Sequence, residues 1–179
     1  MSNYRRARAP GETYFFTVNL YDRKSDLLVR EIDLLRESVR STRARHPFYI
    51  EAWVVLPEHM HCMWKLPPGD NDFALRWQVI KFAFSKRLRA VEPRTVNQRR
   101  RAERGIWQRR YWEHLIRDAQ DYQQHFDYIH YNPLKHNYVG RLADWPYSSF
   151  HRAVAMGIYP EDWCGRPSDD TGDFGEYGF

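Results

Sequence analysis

His59 and His61 stand one residue apart in the stretch Val54-Val55-Leu56-Pro57-Glu58-His59-Met60-His61-Cys62-Met63-Trp64. Alternate positions of a strand share a face, so the two imidazoles lie side by side. That pair suits one divalent cation, although a solvated pair would have the same spacing. A catalytic ion also needs further ligands and an open position. A second segment can supply them. Residues 118–132 read as a helix whose wheel puts Asp121, His125, Tyr128 and Asn132 on a polar stripe. Tyr128 and Asn132 are four apart and lie one above the other. They offer a phenol as nucleophile and an amide oxygen as third metal ligand; the alternative is that Tyr128 packs, as most of the 12 tyrosines must. The chemistry would be covalent catalysis at phosphorus. Mg²⁺ or Mn²⁺ would polarise a phosphodiester, Tyr128 would attack, and a 3′-hydroxyl would leave behind a phosphotyrosine. Two imidazoles and an amide oxygen would also accept Zn²⁺.

The elements that must position these groups follow from periodicity. Tyr14 to Leu20 reads as a strand, and Phe48 to Leu56 with His59 to Leu66 as a hairpin turning at Pro57-Glu58. Met60, Cys62, Trp64 and Leu66 form the core-facing set. His59 and His61 look the other way, with Met63 and Lys65. Leu28, Ile32, Leu35 and Val39 mark a helix from Asp26 to about Arg45, capped by Ser25 or Asp26. Phe73, Trp77, Ile80, Phe84 and Leu88 mark a second from Asp72 to about Val91. A last strand is expected near 111–116. The order is β-α-β-β-α-β, an α+β, ferredoxin-like sheet with helices on one face and the Tyr128 helix added after it. On that helix Tyr122, Phe126 and Ile129 form the packing stripe, Tyr131 faces solvent, and Pro133 ends the run.

The length, 179 residues, fits one domain. It divides into a basic arm (1–11), a core (12–117), the tyrosine-bearing helix (118–133) and a tail (134–179) whose last ten residues are expected to fray. No apolar run approaches the ~20 residues of a membrane span, and no signal peptide opens the chain. Two cysteines are too few for a disulfide framework, so a cytoplasmic, nucleoid-associated setting is expected. The net charge of +5 is carried by Arg more than Lys, and the guanidinium fork suits phosphate. With aromatics at 16% the chain has the makings of a nucleic-acid binder. Many basic proteins have no such partner, so charge alone does not decide it.

Arg5-Arg6, the Tyr14–Leu20 strand, the block from Ala52 to His61, Ile106-Trp107-Gln108 and the run Tyr128-Ile129-His130-Tyr131-Asn132-Pro133-Leu134-Lys135-His136 together resemble the REP-associated tyrosine transposases. These are a domesticated branch of the single-strand HUH transposases, and the likeness runs to about Trp163. The resemblance implies a ferredoxin-like fold and cleavage and rejoining of single-stranded DNA at repetitive extragenic palindromes. It matches His59 and His61 to the HUH pair, Tyr128 to the catalytic tyrosine and Asn132 to the third ligand. It also makes Arg5 and Arg6 candidates for contacting the tetranucleotide beside the hairpin stem. Monomer and homodimer both stay open.

Other residues carry less. Glu58 is read as a turn residue and His125 as an exposed histidine. Arg109 and Arg110, among tryptophans, suit phosphate contact on a single strand. Lys65 and Lys135 are placed near bound DNA. The Arg-rich segment 94–104 reads as a solvated loop. Two rival readings are a binder of palindromic repeats that has lost cleavage, and a zinc hydrolase with a deep apolar pocket.

Overall fold

The computed structural model describes residues 9–89, 95–100, 104–165 and 174–176. Arg5 and Arg6 lie outside them. Four strands form one antiparallel sheet: β1 (Thr13–Asn19), β2 (Tyr49–Val55), β3 (His59–Lys65) and β4 (Trp112–Leu115), in the order β2-β3-β1-β4. With α1 (Leu27–Arg30), α2 (Ile32–Arg45) and α3 (Phe73–Arg87) in the crossovers, this is the expected ferredoxin-like arrangement. The first helix is broken at Glu31 rather than continuous. Ser25 Oγ accepts the Leu27 N–H, and Asp72 caps α3 by accepting from Leu75 N at 3.0 Å.

The period-two alternation divides the sheet into two faces. Tyr14, Phe16 and Val18 of β1 and Met60, Cys62 and Trp64 of β3 join Trp77, Ile80 and Phe84 of α3 in one core. Trp64 stacks on Trp77 with ring centroids 4.3 Å apart. The other face is also a core. There Phe15 and Met63 pack with Phe126, Tyr128 and Ile129 of α5 (Ala119–Lys135). His59 and His61 lie opposite the first core, as the alternation predicts, and are fully buried in the second. The fifth helix covers the very face on which they point.

Three further expectations are corrected. Pro133 does not end α5, which runs on to Lys135. Proline removes one donor, and the last turn is held instead by His136 N to Asn132 O (3.1 Å) and Tyr138 N to Pro133 O (3.0 Å). Tyr131 is half-buried, pressed against Gly165, where a Cβ would come within 2.4 Å of its ring. Within the Arg-rich segment, residues 96–100 form a short helix α4 (Val96–Arg100). Arg104 there donates to Leu88 O (2.9 Å) and Arg89 O (2.7 Å), satisfying carbonyls left open where α3 ends.

Candidate active site

The register of the sheet builds the floor of the site. Thr17 pairs with His61 across β1 and β3, and Asn19 pairs with His59. Thr17 Oγ1 donates to Phe174 O, which leaves its lone pairs for His61 Nδ1 at 2.7 Å. The Nδ1 hydrogen of His61 therefore points at Thr17, and its Nε2 lone pair is left bare. Glu58 acts likewise on His59: its Oε1 lies 2.8 Å from His59 Nδ1. Glu58 thus sits at the hairpin turn and also fixes a ring. The His59 and His61 centroids are 4.9 Å apart.

The fifth helix forms the roof. Asp118 caps its start by accepting the Asp121 N–H at 2.8 Å. The expected polar stripe is present but buried: Asp121, His125, Tyr128 and Asn132 are all at most 5% exposed. The reading of His125 as a surface residue is corrected accordingly. The Tyr128 ring lies edge-on to His61 with centroids 5.2 Å apart. His59, His61, Tyr128 and Asn132, from two distant segments, are brought together.

Four acceptor-capable atoms in this space are buried with no hydrogen-bond partner: His59 Nε2, His61 Nε2, His136 Nε2 and Asn132 Oδ1. Orphaned buried polar atoms are costly, on the order of 1–3 kcal/mol each. Two bare imidazole nitrogens and an amide oxygen are donor types that suit a divalent cation, and one ligand atom each of His59, His136 and Glu176 lie within 4.8 Å of one another. Burial holds His61 down to about 3 and lowers His59 as well, so both rings are neutral, as ligands must be.

Sequence reasoning missed three members of the cluster. Lys135, guessed only as a DNA neighbour, puts Nζ 3.2 Å from the Tyr128 hydroxyl and 4.7 Å from its ring centre. His136 stands 5.3 Å from His59, ring to ring. Both follow Tyr128 by about two turns, on the same face of the helix. The third is Glu176, from the tail expected to fray. Its carboxylate accepts the Tyr128 hydroxyl, lies 3.2 Å from Lys135 Nζ, and is 3.5 Å from both His61 Nε2 and His136 Nε2. Burial alone would raise the Glu176 carboxyl, but the facing His136, His61 and Tyr128 groups outweigh it and hold it well below the usual range.

Three consecutive carbonyls dock this piece of tail. Phe174 O takes Thr17 Oγ1, Gly175 O takes Asn19 Nδ2 at 3.3 Å, and Glu176 O takes Arg23 Nη2 at 2.9 Å. Gly175 has φ +78°, and a Cβ there would meet Trp112 Cβ at 2.4 Å, so only glycine fits. The Phe174 ring lies over Tyr128 at 3.9 Å.

Arg109 and Arg110 are exposed in the segment leading to β4. Lys65 is exposed at the end of β3. Among the described residues no helix is long and apolar enough to cross a membrane.

No family model matches the chain. It is 48% identical over 169 residues to the REP-associated tyrosine transposase of Escherichia coli K12, covering 94% of each. A relative from Haemophilus influenzae is also 48% identical over 169 residues, covering 93% of this chain and 96% of the relative. Among solved structures it is similar to a REP-associated tyrosine transposase bound to a REP hairpin. The TM-score is 0.80 at 48% identity, over 93% of both chains.

Proposed function

Because the chain belongs to the REP-associated tyrosine transposases, which are HUH-type enzymes, we propose that it nicks and rejoins single-stranded DNA beside palindromic-repeat hairpins through a covalent bond to Tyr128. The observation that carries this reading is the set of bare acceptors, His59 Nε2, His61 Nε2 and Asn132 Oδ1, beside the Tyr128 ring.

His59, His61 and Asn132 would hold the divalent cation, Mg²⁺ or Mn²⁺. Once bound there, such an ion neutralises charge on the non-bridging oxygens of the scissile phosphate. Thr17 and Glu58 keep the two rings in the ligating tautomer. The Tyr128 oxygen gives up its proton to water and attacks phosphorus, the P–O3′ bond breaks, and the departing 3′ oxygen takes a proton from water. Reversal with a different 3′-hydroxyl joins strands. Lys135 Nζ donates to the phenol oxygen from 3.2 Å. Arg5, Arg6, Arg109 and Arg110 contact the DNA, and phosphate contacts of that kind weaken with salt.

Glu176 and Phe174 occupy the room beside the phenol that a DNA backbone would need, and a carboxylate there repels phosphate. Substrate entry therefore requires this piece of tail to leave. A binder that has lost cleavage would have no use for a retained nucleophile and ligand set. The test is a labelled repeat hairpin incubated with Mn²⁺. A detergent-resistant protein–DNA adduct is expected, lost on chelation and in His59→Ala with hairpin binding intact. An adduct indifferent to both would refute the metal-assisted reading.

A further inference from the structure

A second cluster of ligand-type side chains lies at the start of α5, away from the bare acceptors. His114 on β4 and the pair Asp121 and His125, one turn apart on α5, bring three ligand atoms within 4.8 Å of one another. His114 Nε2 is 2.8 Å from Asp121 Oδ2, and His125 Nδ1 is 3.1 Å from Asp121 Oδ1. Donor atoms around a tetrahedral zinc sit roughly 3.3 Å apart, given metal–ligand bonds of about 2.0–2.1 Å. The two contacts to Asp121, 2.8 and 3.1 Å, are already near that spacing.

From these contacts we infer that His114, Asp121 and His125 form a second cation site, one that takes a borderline transition-metal dication of the Zn²⁺ class. Two imidazoles and one carboxylate favour such an ion over Mg²⁺. The side chains are held by packing: the His114 and His125 rings stack at 4.5 Å and 12°, and His125 is wedged against Phe15 (4.8 Å) and Phe174 (5.0 Å), so one ring has to turn for both nitrogens to meet a single ion. Asp121 and His125 are buried, while the His114 side chain is 25% exposed and leaves a way in from solvent.

Arg117 is the countercharge at present. Its Nε lies 3.2 Å from Asp121 Oδ2 on a side chain 71% exposed, so it can turn out to water when a dication replaces it. Its backbone N–H, 2.9 Å from the same oxygen, would stay as an outer hydrogen bond orienting the carboxylate. His125 Nδ1 faces Asp121 O at 2.8 Å, so ligation there moves the ring hydrogen to Nε2. The bound ion would tie the sheet edge to the first turn of the helix that bears Tyr128. This inference does not rest on the proposed DNA chemistry.

The test uses full-length protein and Co²⁺ alone as a spectroscopic stand-in for Zn²⁺. A His59→Ala/His61→Ala protein is expected to keep one Co²⁺ per chain with visible tetrahedral absorption, and to lose it when His114→Gln is added. Circular dichroism verifies that each variant is folded. No binding in the double variant, or binding that survives His114→Gln, would overturn the inference. If the combined variant does not fold, diethyl pyrocarbonate labelling of wild-type His114 decides: Zn²⁺ should suppress it, and unchanged labelling counts against the site.

Discussion

Tyr128 gives its hydroxyl hydrogen bond to Glu176, a residue 48 positions later in the chain. A nucleophile held by a carboxylate is not presented to a phosphate. A hydrogen bond to a charged group contributes about 1.5–3 kcal/mol, so its loss should matter kinetically. Glu176→Ala is expected to raise adduct formation on a hairpin substrate by roughly tenfold, about 1.4 kcal/mol, with hairpin affinity little changed. A fall in adduct rate would instead give Glu176 a direct part in catalysis.

Gly175→Ala should mimic that effect by another route. The left-handed φ and the contact with Trp112 exclude a Cβ, so the tail must shift and take Glu176 with it. Side-by-side adduct kinetics for the two variants should agree. A wild-type rate in Gly175→Ala would mean that the tail's placement does not limit the reaction.

Thr17→Val removes the partner of His61 Nδ1 and keeps the side chain's size. Losing a group that orients a ligand typically costs ten- to a hundredfold in metal affinity. The Mn²⁺ concentration giving half-maximal adduct is expected to rise by about that factor. An unmoved midpoint would remove Thr17 from any role in ligand orientation.

Much of this was open to sequence reasoning, and the failures have physical causes. The strand alternation placed His59 and His61 together, and the wheel placed Tyr128 beside Asn132. The wheel stopped too early because Pro133 was taken as a terminator. A proline in the last turn sacrifices only one hydrogen bond, and continuing past it adds Lys135 and His136 to the same face. The histidine face was read as lying opposite the core, although Phe15 and Met63 share it and signal a second core. Glu176 had no local signal. Its position comes from three carbonyls bonding to β1 and the loop after it, contacts more than 150 residues apart in sequence.

Acid should destabilise the fold through its buried histidines. His130 bonds Phe126 O and Ser149 Oγ, each at 2.8 Å. Burial lowers it to about 4. An unfolded histidine binds its proton near pH 6.5, so the unfolded chain takes up protons first as pH falls. Stability should therefore drop from about pH 6.5 to about pH 4, by at most about 3 kcal/mol for this residue. Urea midpoints across that range measure it, and His130→Gln should flatten the slope. An equally steep slope in the variant would assign the acid sensitivity elsewhere.

Arg5→Ala and Arg6→Ala should each weaken hairpin binding and make the plot of log affinity against log salt shallower by about 0.7–0.9. Fluorescence anisotropy over a salt series reads both quantities. Parallel lines for variant and wild type would show that these side chains make no phosphate contact.

The most direct test of the central claim is tandem mass spectrometry on the tryptic peptide spanning 118–135, taken from protein reacted with a short hairpin substrate and Mn²⁺. That peptide holds Tyr122, Tyr128 and Tyr131. The nucleotide mass is predicted on Tyr128 alone. A modification on Tyr122 or Tyr131, or an adduct that persists in Tyr128→Phe, would contradict the account.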